Sequence, residues 1–131
     1  DEVIARLCKT NPRLTPERAD FLADHWSTRR DDGQWEILGD PAHKIVSAQL
    51  YRSDEVLACW RNITAPVLWV EAEHTDMWRW MGPRDKVRAE VERRMQAIPQ
   101  VTPAWVQDAG HMLHHDQPAA VARLIEDFIA G

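Results

Sequence analysis

The spacing of hydrophobic residues changes near residue 60 and divides the chain into two kinds of sequence. In the first part, apolar residues recur every three or four positions, as on one face of a helix. Thr15 followed by Pro16 marks a helix start, because threonine caps a first turn and proline fits its first position. We expect helices over 1–9, 16–29 and 53–60, with a short extended segment at 35–38.

The second part alternates short apolar runs with amphipathic helices. Segments 67–71 and 101–107 have the length and composition of buried strands, and a helical pattern follows each of them. A strand–helix–strand unit of this size forms a parallel pair with a right-handed crossover. Its carboxyl-end loops then lie side by side. The sequence therefore predicts an α/β fold that brings together loops 72–83 and 108–116.

These two loops contain the residues of an acid–histidine pair. Asp76 follows the first strand, and Gly110-His111 follows the second. A carboxylate can hold an imidazole in one tautomer and stabilise it when protonated. Glycine before histidine allows a tight turn that projects the ring. Glu73 is the alternative acid, because it also lies just beyond the first strand.

The two loops resemble those of the α/β-hydrolase family, in which nucleophile, acid and histidine follow one another along the chain. Residues 72–76, Ala-Glu-His-Thr-Asp, resemble the segment that carries the acid, and 108–118 resemble the segment that carries the histidine. The resemblance implies a partial α/β-hydrolase fold. Residues 1–62 would form a helical lid or cap, and residues 63–131 would form the C-terminal part of the core.

In this family, His111 would correspond to the general base and Asp76 to the acid that orients it. The resemblance implies no cofactor and a small, apolar, ester-like substrate. Four of the seven tryptophans are candidates for lining an apolar substrate pocket, because indole rings give large apolar contacts. These candidates are Trp26, Trp35, Trp78 and Trp80.

The chain departs from the family at the nucleophile. It has no Gly-x-Ser-x-Gly elbow, and Ser27, Ser47 and Ser53 are not flanked by glycines. We therefore expect the nucleophile upstream of this chain, in a longer protein that cleaves an ester or related acyl bond. The chain alone would then be inactive, since the attacking group is missing.

Two other functions remain open at this stage. The first is a metal site built from the histidines and acids of the two loops, namely His74, Asp76, His111, His114, His115 and Asp116. The second is a non-catalytic binding or interaction module. A fragment with two parallel strands would also expose a sheet edge, which predicts self-association or pairing with the missing N-terminal half.

Composition narrows the class of protein. The chain has 44% hydrophobic and 28% charged residues and a formal net charge of −5, with scattered basic residues that do not suggest nucleic acid. No apolar stretch approaches the length of about 20 residues that a membrane span needs. Cys8 and Cys59 are far apart, which favours buried free thiols and a cytoplasmic location.

Overall fold

The computed structural model describes residues 2–131, which fall into two units, one ending at Leu50 and the other spanning Tyr51–Gly131. The first unit contains α1 (Glu2–Thr10), α2 (Pro16–Trp26), β1 (Ser27–Arg29), β2 (Trp35–Ile37) and a 3-10 helix (Pro41–Lys44). The second contains α3 (Ser53–Arg61), β3 (Val67–Ala72), α4 (Trp78–Met81), α5 (Arg84–Met95), β4 (Val101–Val106), α6 (Leu113–Asp116) and α7 (Pro118–Ala130).

In the first unit, α2 begins as predicted but ends earlier. The Thr15 hydroxyl accepts the backbone N–H of Arg18 at 3.3 Å and caps the first turn. The expected helix to residue 29 is wrong, because Ser27–Arg29 form β1. The buried Ser27 hydroxyl donates at 2.6 Å to the Ala23 carbonyl, which also accepts the Ser27 backbone N–H at the end of the helix.

A hairpin that we did not predict follows α2. β1 pairs antiparallel with β2, in register from Ser27↔Ile37 to Arg29↔Trp35. Gly33 in the connecting turn has a φ of +83°, a backbone conformation that glycine adopts at little cost. The sequence pattern indicated the turn at 31–33 and the extended segment of β2, but not β1.

The second unit confirms the predicted α/β fold class. β3 and β4 form a parallel pair in register from Val67↔Val101 to Ala72↔Val106. One face of the pair forms a core with the helices that follow β4. Ala72, Val106 and Ala109 are buried there, packed against Val70, Leu113, Ala120, Val121 and Leu124.

Pro103 gives the two edges of this pair different properties. The Val67 N–H bonds the Gln100 carbonyl, and the Glu73 N–H bonds the Val106 carbonyl. Backbone groups of successive β4 residues point alternately towards β3 and away from it, and these bonds place residues 100 and 106 on the β3 side. The backbone nitrogen of residue 103 therefore points away from β3. The proline therefore removes a donor from the outer edge of β4 and leaves the hydrogen bonds between β3 and β4 unchanged.

Two sequence expectations concern cysteines and membrane spans. Cys8 and Cys59 are free, as predicted, but Cys59 is exposed and Cys8 is only partly buried, so the expectation of burial is wrong. Within residues 2–131, no helix combines the length and apolar character needed to cross a membrane.

Candidate active site

The loops that follow β3 and β4 lie side by side, as the parallel topology predicts, and two hydrogen bonds join them. The His74 N–H donates to the Ala109 carbonyl at 2.9 Å. The Asp108 N–H donates to the Glu73 carboxylate at 3.0 Å. Each loop also contains a short helix that the sequence pattern did not indicate, α4 in the first and α6 in the second.

The backbone that leads into His111 is held at successive residues. Beyond the bonds to Asp108 and Ala109, the Gly110 N–H donates to the Asp116 carboxylate at 2.7 Å. Asp116 is only 3% exposed, although it is charged. A buried carboxylate is stabilised by such charge-assisted hydrogen bonds, and the donor depends on it in turn. The position of His111 is therefore fixed from the backbone.

His111 itself is exposed and lines a cavity of about 160 Å³ at the outer edge of β3. The cavity is bounded by Trp69, Val70, Glu71, Ala72, Thr75, Met77, Val91, His111 and Leu113. Four consecutive residues of β3 contribute and β4 contributes none, so the cavity lies on the side of β3 away from β4. His111 is thus presented at the open edge of the sheet.

The structure brings the predicted acid into the same loop cluster but gives it another partner. Asp76 Oδ2 lies 3.3 Å from Arg79 Nη1. Within the described part of the chain, residues 2–131, no hydrogen bond joins Asp76 or the alternative acid Glu73 to His111. Glu73 accepts the Asp108 N–H and lies 3.7 Å from His74 Nε2. The acid–histidine contact of a working triad is therefore not formed here.

The four candidate tryptophans take different positions. The Trp80 ring lies 6.4 Å from the His111 ring, edge to face, with 64° between the ring planes. The Arg84 guanidinium lies over the Trp78 ring, with its carbon Cζ 4.6 Å from the ring centre. Trp26 and Trp35 belong to the first unit and are exposed. Of the two candidates in the second unit, Trp80 is therefore the one placed beside the proposed base.

A larger cavity, of about 580 Å³, opens beside α5. It is bounded by Glu71, Ala72, Glu73, Thr75, Met77, Trp78, Arg84, Asp85, Val87, Arg88, Val91 and Trp105. Arg88 Nη1 donates to Glu71 Oε2 at 2.7 Å, and this hydrogen bond raises the pKa of Arg88. Sequence reasoning missed this pair, although a glutamate that ends an apolar strand often marks a partnered acid.

Thr75 lies in the wall between the two cavities and lines both. Its hydroxyl oxygen is buried and, among residues 2–131, has no hydrogen-bond partner. Buried hydroxyls without partners are uncommon and often lie at sites that bind something. The sequence pattern gave no sign of this residue beyond its place before Asp76.

The residues named for a metal site do not converge. Within residues 2–131, no three histidine, cysteine or acidic side chains have an arrangement that could hold a metal ion. The rings of His114 and His115 meet edge to face, with centres 4.2 Å apart and 61° between their planes. Burial, followed by the neighbouring His114, lowers the pKa of His115. The metal-site hypothesis therefore has no support in the geometry.

Comparison with known proteins identifies the fold. No family model and no curated protein matches the chain in sequence. In structure it is similar to E-2-(acetamidomethylene)succinate hydrolase, with a TM-score of 0.71 and 19% identity over 98% of this chain and 44% of that one. An esterase from Mycobacterium tuberculosis gives a TM-score of 0.72 and 18% identity, over 98% and 40%.

A thioesterase domain from the curacin biosynthetic pathway gives a TM-score of 0.72 and 19% identity, over 96% of this chain and 42% of that domain. These neighbours are α/β-hydrolases. The chain therefore has part of the α/β-hydrolase fold, and it spans 40–44% of the length of the three structures. This confirms the fold that the two loop sequences implied.

Proposed function

We propose that this chain belongs to a hydrolase that cleaves an ester or related acyl bond, with His111 as the general base. The observation that carries the proposal is the set of hydrogen bonds that fixes residues 108–110 and presents His111 at the open edge of β3. In a fold of this kind, catalytic groups gather at the carboxyl ends of the strands. Asp76 would orient the imidazole once it leaves Arg79.

We place the nucleophile outside this chain. No serine or cysteine side chain within residues 2–131 hydrogen-bonds to His111. The Ser27 hydroxyl donates to the Ala23 carbonyl, which occupies its proton. Without a serine or cysteine that it can deprotonate, a histidine base cannot start acyl transfer. The chain by itself is therefore expected to be inactive, whereas a protein that supplies the remaining part of the fold would be active.

A matched pair of histidine variants tests this function in the full-length protein. His111→Ala should lower kcat/KM for a short-chain nitrophenyl ester by about 10³-fold or more, because the base is lost. His114→Ala, three residues away and also exposed, should leave it within a few-fold. A fluorophosphonate probe should label the full-length protein and not this chain. Equal activity of the two histidine variants, or labelling of this chain, would refute the proposal.

A non-catalytic binding module is the second candidate function, and the 580 Å³ cavity favours it. Trp78, Trp105 and Met77 give that cavity an apolar lining, and it needs no nucleophile to bind a small molecule. Under this alternative, the full-length protein would bind apolar esters without cleaving them. Turnover of the nitrophenyl ester therefore distinguishes the two functions.

We also propose a partner for the outer edge of β3, either the rest of the same protein or a second copy of this chain. β3 pairs with β4 on one side, and within the described residues no strand covers its other side. Unpaired strand edges readily accept another strand. Light scattering at micromolar concentration should show self-association of this chain, and a strictly monomeric mass would count against the second copy.

We expect the protein to be cytoplasmic.

A further inference from the structure

The short helix α4 contacts both residues of the proposed acid–histidine pair through consecutive side chains. Arg79 forms the ion pair with Asp76, and its backbone N–H donates to the Asp76 carbonyl at 2.9 Å. Trp80, the next residue, lies edge to face with His111. A side chain beside each member of the pair thus comes from one turn of helix.

The Arg79–Asp76 ion pair is weak enough to exchange. The Arg79 side chain is 72% exposed and that of Asp76 is 31% exposed. Ion pairs with an exposed partner at this spacing are weak, because water solvates the charge on that partner well. A hydrogen bond from an imidazole N–H to the same carboxylate is worth a similar amount or more. The carboxylate can therefore change partner without a large cost.

The two loops are already close enough for such an exchange to be local. Hydrogen bonds from Asp108 to Glu73 and from His74 to Ala109 tie the loop of Asp76 to the loop of His111. The exchange would move the Asp76 carboxylate from Arg79 to His111 within this joined pair of loops. Gly82, which ends α4 with a φ of +109°, is a backbone position that only glycine adopts readily.

We infer that α4 acts as a latch, in which Arg79 holds Asp76 away from His111 and Trp80 occupies the space beside the imidazole. Arg79 is thus a positioning residue, and its release lets the carboxylate bond the histidine. This inference rests on the proposed function for its biological meaning, but the exchange of partners is a property of this chain and can be measured in it.

Nuclear magnetic resonance of the 131-residue chain with ¹⁵N-labelled histidine tests the latch directly. In the wild-type chain, the His111 ring N–H should exchange rapidly with water and give no signal. In Arg79→Gln, a protected, downfield N–H signal from His111 should be visible, because Asp76 is free to accept it. The signal should be lost again in the double variant Arg79→Gln/Asp76→Asn.

Two control variants separate the latch from general effects of charge. Arg79→Lys keeps a cation near Asp76 and should behave as wild type. Arg84→Gln removes a guanidinium that stacks on Trp78 and, within residues 2–131, has no ion pair, so it should give no signal. A protected His111 signal in the wild-type chain, or none in Arg79→Gln when circular dichroism shows a folded protein, would overturn the inference.

The full-length protein keeps this inference distinct from the proposed function. If both hold, Arg79→Gln should raise kcat for the nitrophenyl ester several-fold and leave KM unchanged, whereas a structural defect would lower kcat. If the signal is seen in the chain but His111→Ala retains full activity, the latch exists and the hydrolase function is wrong. If His111→Ala is inactive but Arg79→Gln gives no signal, the function stands and the latch does not.

Discussion

The two loops of the candidate site have the same place in the fold but are held in different ways. The loop with His111 is fixed by a buried acid, Asp116, which bonds the Gly110 N–H. The loop with Asp76 holds that residue through an exposed ion pair with Arg79. The proposed base is therefore held by the core, and the proposed acid by a contact that water can replace.

This difference indicates that the position of Asp76, more than that of His111, depends on the part of the α/β-hydrolase fold that this chain does not contain. A histidine fixed by its own backbone keeps its position whether or not a nucleophile is present. An acid held by a surface ion pair can wait for the imidazole to become protonated and then pair with it, since that is when the carboxylate is most needed. Substitutions that release the loop of His111 should consequently lower stability more than substitutions in the loop of Asp76.

The largest effect on stability is expected from Asp116→Ala. Removing the carboxylate leaves the Gly110 N–H buried without its acceptor, which should lower the free energy of unfolding by about 2 kcal/mol in urea denaturation. Asp116→Asn, which keeps an acceptor oxygen, should recover part of the loss. Asp127→Ala, an exposed acid of α7, should change stability by less than about 0.5 kcal/mol. If Asp116→Ala costs no more than Asp127→Ala, the loops are held equally weakly.

A smaller effect is expected from Glu73→Ala, which removes the carboxylate that joins the two loops. The lost hydrogen bond to the Asp108 N–H is exposed to water, so the free energy of unfolding should fall by about 1 kcal/mol or less. Hydrogen exchange at the Asp108 amide should accelerate. Glu73→Gln still offers an acceptor oxygen and should preserve the slow exchange. Equal acceleration in both variants would show that the carboxylate does not join the loops.

The smallest effect concerns His115 and the pH. Its pKa is lowered in the folded protein from 6.5, mainly by burial, so the unfolded chain takes up the proton first as the pH falls. This residue therefore reduces stability as the pH falls below about 6.5, and the effect levels off below its folded pKa. His115→Gln should flatten the pH dependence of the unfolding free energy between pH 7 and 5, and His43→Gln, an exposed histidine of the first unit, should not. A steeper dependence in His115→Gln would contradict this sign.

The sequence predicted the elements that depend on burial and missed those that depend on local hydrogen bonds. β3 and β4 were found because continuous apolar runs identify strands covered by helices. β1 was missed because Ser-Thr-Arg continues a helical pattern, and the strand exists through its pairing with β2. The sequence brought Asp76 and His111 into neighbouring loops. It could not show that Asp76 pairs with Arg79 and not with His111, because the two interactions have similar strength and sequence alone does not decide between them.

Pro103 has a consequence for how the sheet can grow. A further strand on the β4 side would find no backbone donor at Pro103, in the middle of that strand. Strand addition is therefore favoured on the β3 side, where no proline interrupts Val67–Ala72. This is also the side on which His111 lines its cavity. Pro103 thus favours strand addition beside the proposed reaction centre.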